Sequence, residues 1–240
     1  MQDYLLFIDT ETSGKPRRWN APYSQKDNWP HALQISWLLY TREGVLVRQE
    51  DHYISDDDFT IAPSAFQVHG LTAAFLREKG RPRREVLARL AADLETFQPL
   101  VLGHFMAFDA HIAGAEFYRS GLADPLPGLP AFCTMQGTRH LVRNPAAHFL
   151  RLGELYELLF QKPQRHPHNA LADAQATAEC FFELIKRGDI DPEKAGPPQL
   201  EAVAAPSGRT SGLLAALLSA FVISLILYCL WKTGSPSFVP

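Results

Sequence analysis

The chain has 240 residues, of which 46% are hydrophobic and 20% charged, with a formal net charge of −3. This is a globular composition rather than a disordered or fibrous one, and it lacks the basic coat that grips nucleic acid without regard to sequence. Three cysteines, Cys133, Cys180 and Cys229, are scattered with no CxxC spacing, which argues against a disulfide framework or a zinc knuckle.

The N-terminus has neither a basic region nor a small-residue cleavage site, so no signal peptide is read there. Tyr4–Asp9 is a short apolar run ending in acid and predicts a buried strand. Residues 14–30 are polar and turn-rich and predict a loop; its Lys15, Arg17 and Arg18 read as solvated charge. Ala32–Tyr40 and Val45–Tyr53 predict two strands joined by a hairpin-like turn at residues 41–44. Pro82 opens a helical pattern in which Val86, Leu87, Leu90, Leu94 and Phe97 share one face. Leu100–Gly103 predicts another buried strand, Asp109–Arg119 a helix, and the proline-rich residues 122–130 a loop. Leu152–Phe160 and Ala170–Lys186 predict two more helices, the second capped by Asn169 and ended by Gly188. Strands followed by alternating helices and strands indicate an α/β domain over residues 1–187.

Periodicity is lost over residues 188–211, a linker containing prolines and glycines. Residues 212–231 then carry no charge and no proline. A hydrocarbon core about 30 Å thick needs about 20 helical residues, so this block predicts a transmembrane helix. Tyr228 and Trp231 stand at one end, Arg209 and Lys232 flank it, and residues 232–240 form a short tail. The expected arrangement is a single-pass tail anchor with the catalytic domain in the cytoplasm. Gly212, Ala216, Ala220 and Ser224 form a small-residue stripe, which raises a homodimer as one option.

Three stretches carry candidate chemistry. Asp9 and Glu11 sit two apart at the end of the first strand, so alternation points both carboxylates to one face. Their repulsion is relieved when both ligate a divalent cation; a polar strand end is the plain alternative. Asp109 follows the Leu100–Gly103 strand, where an ordinary helix cap is the plain alternative. In the third stretch, Asp173 lies in the first turns of the last helix, and His168 stays on the loop before it. His166 is a second loop histidine and serves as an internal control.

The ordered set, D-x-E near the start, F-D about a hundred residues on and H-x-A-x-x-D near the domain's end, resembles the DEDDh family of 3′–5′ exonucleases. That family includes the proofreading epsilon subunit of bacterial DNA polymerase III and ribonuclease T. Residues 65–72 (AFQVHGLT), 133–135 (CTM) and 152–156 (LGELY) are similar to family segments as well. The resemblance implies a ribonuclease H-like mixed sheet flanked by helices. It implies that Asp9, Glu11, Asp109 and Asp173 hold two Mg²⁺ or Mn²⁺ ions and that His168 is the general base. The tyrosine-using branch carries tyrosine four residues before the last acid, where this chain has Asn169. The substrate implied is the 3′ end of nucleic acid, DNA before RNA. Thr12 and Ser13 are candidate contacts to the terminal nucleotide. One position departs from the family pattern: Phe105 follows His104 where the family has asparagine, and its ring is a candidate for stacking on a base. Short RNA as substrate, or an inactive nuclease-like module at a membrane, are the competing expectations.

Overall fold

The computed structural model describes residues 2–56, 58–143 and 148–191. Most of the expected linker, the expected transmembrane helix at 212–231 and the tail lie outside the described residues. Among the described residues, no helix is long and apolar enough to cross a membrane.

A five-stranded sheet forms the centre. Its strands are β1 (Tyr4–Thr12), β2 (Ala32–Thr41), β3 (Leu46–Tyr53), β4 (Leu100–Gly103) and β5 (Ala131–Cys133), in the spatial order β3-β2-β1-β4-β5. The β1–β2 and β2–β3 pairs are antiparallel, while β4 and β5 join in parallel. Among the described residues, seven α-helices accompany them: α1 (Pro63–His69), α2 (Ala73–Lys79), α3 (Arg83–Phe97), α4 (Met106–Ser120), α5 (Thr134–Gly137), α6 (Leu152–Phe160) and α7 (Ala170–Arg187). The expected mixed sheet flanked by helices is what forms.

Helices on both faces explain why β1 reads as an unbroken apolar run rather than an alternating one. Leu6 and Ile8 pack with Val86, Leu90, Leu94, Ile112 and Phe117 from α3 and α4. Leu5 and Phe7 face the other way, onto Leu155, Leu159, Phe181 and Leu184 from α6 and α7. Phe7 meets Phe181 and Tyr40 edge-on at 5.5 and 5.6 Å. Beyond α7, Ile190 still packs on this second core.

Element ends differ from expectation where backbone pairing outruns side-chain pattern. β1 continues past Asp9 to Thr12 because Asp9 pairs with Ser36 and Glu11 with Gln34 on β2. In the hairpin, Gly44 adopts φ 83° and its N–H donates to Thr41 O, so β3 begins at Leu46. α4 starts at Met106, three residues before the expected Asp109, with Phe105 as its cap. Asn169 caps α7 as expected, its side chain accepting from Ala172 N at 3.2 Å, and Gly188 ends that helix at φ 76°. Three elements had no usable signal. α1 buries none of its residues, α2 buries only Leu76, and β5 is three residues long.

Candidate active site

The two faces of β1 decide where its polar end points. Asp9 and Glu11 continue the Leu5–Phe7 face toward α7, and Thr10 continues the Leu6–Ile8 face toward α4. The first turn of α7 supplies Asp173 and the first turn of α4 supplies Asp109. Thr10 Oγ1 donates to Asp109 Oδ1 at 2.8 Å, joining positions 99 residues apart. Glu11, His168 and Asp173 each offer a ligand atom within 4.8 Å of the others.

Electrostatics shows that the four acids share one site. Burial pushes the Asp9 carboxyl well above the usual carboxylate range, and the charges of Asp109, Asp173 and Glu11 push it further. Glu11 is raised from 4.5 to about 8 by burial, then by Asp173 and Asp109. Asp109 is raised from 3.8 to about 7, mainly by burial and against the Thr10 hydrogen bond. Asp173 is raised by burial, although Gln164 and the His168 backbone N–H both donate to it. Four hard oxygen donors forced together at a protonation cost fit a divalent cation, which replaces the protons and cancels the repulsion.

His168 sits on the loop before α7, exposed, with φ 64° and its N–H on Asp173 Oδ2 at 3.2 Å. His166 is also exposed, at φ 49°, and belongs to no metal-competent group among the described residues. The structure thus separates two histidines that are equally good candidates by residue type. The hydroxyls of Thr12 and Ser13 each make a bond within the chain: Thr12 Oγ1 donates to Gly14 O at 2.7 Å, and Ser13 Oγ accepts from His31 N at 2.9 Å. Phe105 is exposed at φ 76°, a conformation that costs a bulky residue about 1–3 kcal/mol. Phe108 is half-buried against the core. Lys15 and Arg17 line a cleft of about 450 Å³ with His31, Asp58 and Phe59, and none of the four carboxylates lines it.

Sequence reasoning missed several residues that shape the site. His69, from the 65–72 segment, accepts Leu71 N at its Nδ1, so its Nε2–H donates to Thr12 O at 3.2 Å. Burial lowers the His69 pKa, and the charge of His168 lowers it further. Gln34 is fully buried between β2 and α7. Its Oε1 accepts from Ala170 N at 3.1 Å and its Nε2 donates to Asp51 Oδ1 at 2.7 Å, so it seats the helix start that carries Asp173. Gln34→Ala strands the buried Ala170 N–H, whereas the exposed Asp51 keeps its bond from Ser36 Oγ, and the loss costs about 2 kcal/mol. A melting temperature lower by about 6 °C is expected; an unchanged melt would remove Gln34 from this role.

No curated protein sequence matches the chain. Among solved structures, it is similar to Escherichia coli Exonuclease I in complex with a dT13 oligonucleotide (22% identity, TM-score 0.62, 77% of this chain and 41% of that one). The same protein in complex with a dA16 oligonucleotide gives 20% identity and a TM-score of 0.61 at the same coverage. The zinc-bound form of its single-stranded DNA complex gives 21% and 0.62, covering 78% of this chain and 41% of that one. These likenesses show the fold, and the chain spans less than half the length of those neighbours. The family model for Exonuclease (RNase_T) matches residues 6–181, a stretch that holds all four carboxylates and His168. Covering well over half of the sequence, that match makes this chain a member of the exonuclease (RNase T) family.

Proposed function

We propose that the chain is a metal-dependent 3′–5′ exonuclease that hydrolyses phosphodiester bonds at nucleic-acid 3′ ends, DNA before RNA. The observation that carries this reading is the convergence of Asp9, Glu11, Asp109 and Asp173 from three separate elements, with His168 beside Glu11 and Asp173. The four carboxylates would hold Mg²⁺ or Mn²⁺. Held there, two such ions would supply activation of the attacking water and stabilisation of the charge developed in the transition state.

The chain's own groups do the rest. Thr10 fixes the Asp109 carboxylate, and Gln164 and the His168 N–H fix that of Asp173, so neither must reorganise when substrate arrives. The His168 imidazole, beside Glu11 and Asp173, takes the proton of the attacking water. The His69 ring is held by Thr12 O and Leu71 N and so keeps one tautomer. The direction of cleavage follows from the resemblance to the histidine-using DEDD exonucleases. Preference for DNA is supported by the single-stranded DNA in the neighbouring structures. The uncharged run at 212–231 supports a membrane tether, with the nuclease domain on the cytoplasmic side.

The test offers 5′-labelled DNA and RNA oligonucleotides to the full chain in Mg²⁺ or Mn²⁺. The expected result is a ladder of 3′-shortened products, faster from DNA. Immediate release of the labelled nucleotide would reverse the polarity, faster shortening of RNA would reverse the preference, and intact polymers would overturn the nuclease reading.

A further inference from the structure

The cleft past the end of β1 is lined by groups that the acidic site does not use. It includes Ser13, two residues beyond Glu11, or about 7 Å along an extended chain. Its volume of about 450 Å³ lies in the range of small-ligand sites. Lys15 and Arg17 line it, and neither side chain has an ion pair or a hydrogen bond among the described residues. Their neighbour Arg18 does not line the cleft and is engaged elsewhere, with Nη2 donating to Gln25 Oε1 at 2.7 Å.

Two neutral donors join these cations. Arg83 Nη2 lies 3.1 Å from His31 Nδ1, and a guanidinium only donates, so Nδ1 accepts and the ring proton sits on Nε2. Burial first, then the charge of Arg119, lowers the His31 pKa from 6.5 to about 4, so at pH 7 the ring is neutral and keeps that tautomer. Phe59 stacks on the ring at 4.8 Å and holds its plane. Ser13 is 6% exposed, and its Oγ accepts from His31 N at 2.9 Å, which leaves the hydroxyl proton to donate. The acids of the cleft are largely answered. Asp58 pairs with Arg83 at 2.5 Å, and Arg83 pairs in turn with the buried Glu116, which Arg119 meets at 2.6 Å. Asp27 is exposed and stands against both Lys15 and Arg17.

We infer that this cleft is a phosphate site separate from the acidic cluster, with Lys15 and Arg17 supplying charge and His31 Nε2–H and the Ser13 hydroxyl supplying neutral donors. Phosphate oxygens accept and do not need a donor in return, and a lysine and an arginine beside fixed hydrogen-bond donors are the chemistry that recognises them. The acidic cluster is the opposite environment, since without a metal ion it repels the same group. A free nucleoside monophosphate and a nucleic-acid strand both carry such a phosphate. The site stands whether or not the chain cleaves nucleic acid, because its occupancy is read without turnover.

The test titrates the full chain by calorimetry at pH 7 in chelator, so that no metal ion draws phosphate to the carboxylates. The probes are inorganic phosphate, thymidine 5′-monophosphate, thymidine and a deoxythymidine oligonucleotide. Phosphate and the nucleotide are expected to bind saturably, and thymidine is not. Lys15→Gln and Arg17→Gln are each expected to raise Kd about tenfold, the loss of one charge-assisted contact, and Ser13→Ala about fivefold. Arg18→Gln should leave Kd within about twofold, because it removes the same charge from outside the cleft. An oligonucleotide that binds tighter than the nucleotide, and loses that advantage in the Lys15 and Arg17 variants, assigns the site to a strand; equal affinities assign it to the free nucleotide. Absence of saturable binding by all three phosphates overturns the site and leaves the nuclease reading standing. So does thymidine binding as tightly as its monophosphate, or an equal loss in Arg18→Gln and Arg17→Gln.

Discussion

Asp9→Asn is expected to lower kcat at least about a thousandfold while making the metal-free protein more stable. The loss follows from the work asked of the carboxylates. Charge stabilisation of several kcal/mol in the transition state depends on them, and each 1.36 kcal/mol is a factor of about ten. The gain follows from the same clustering. Asp9 lies against Asp109, Asp173 and Glu11, and its carboxyl is held well above the usual range. Groups whose folded pKa is raised favour the folded state most when protonated, below the pKa of the unfolded chain. That contribution is lost as pH rises through the folded value. For Glu11 the window runs from 4.5 to about 8, and for Asp109 from 3.8 to about 7. The chelated parent should therefore melt at a lower temperature at pH 8 than at pH 5, and Asp9→Asn should flatten that fall. Added Mg²⁺ should raise the parental melting temperature at pH 8 and raise that of the variant less. Thermal melts in chelator and in Mg²⁺, beside single-turnover rates, check both halves. A variant that stays active, or that melts lower than the parent at pH 8, defeats the assignment.

His168→Ala is the second large effect, with kcat expected to fall about a hundredfold or more. The substitution isolates the imidazole, because the hydrogen bond to Asp173 Oδ2 comes from the backbone N–H and survives it. His166→Ala should leave the rate within about twofold, as expected of an exposed side chain outside the cluster. The position of His168 beside Glu11 and Asp173 would also permit metal ligation, and titration with Mg²⁺ separates the two roles. A base leaves the half-saturating Mg²⁺ concentration where it was, whereas a lost ligand raises it. Equal losses at both histidines would sink the assignment of His168.

Much of this arrangement was legible locally. Leu152–Phe160 was read to the residue, and α7 was read with its Asn169 cap and Gly188 stop. An apolar period and cap chemistry are properties of neighbouring residues, and no distant contact overrides them there. The extension of β1 to Thr12 was not legible, because pairing with β2 sustains a strand whose apolar pattern has ended. Nor were α1 and β5: an element that buries no side chain, or spans three residues, leaves no period to read.

The site divides along the same line. Spacing alone marked Asp9 and Glu11 as a same-face pair at a strand end, whereas Asp109 and Asp173 joined them through the ordered set that resembles the DEDDh exonucleases. Only the tertiary structure showed that the charges of Asp109, Asp173 and Glu11 all act on Asp9 and that Thr10 reaches Asp109 across 99 residues. It also brought in Gln34 and His69, neither of which stands near a carboxylate motif in the chain except through contacts between elements. The donor set is written in the order of residues, whereas its convergence depends on how β1, α4 and α7 pack. That packing is set by the two buried faces of one strand, which no single stretch of sequence contains.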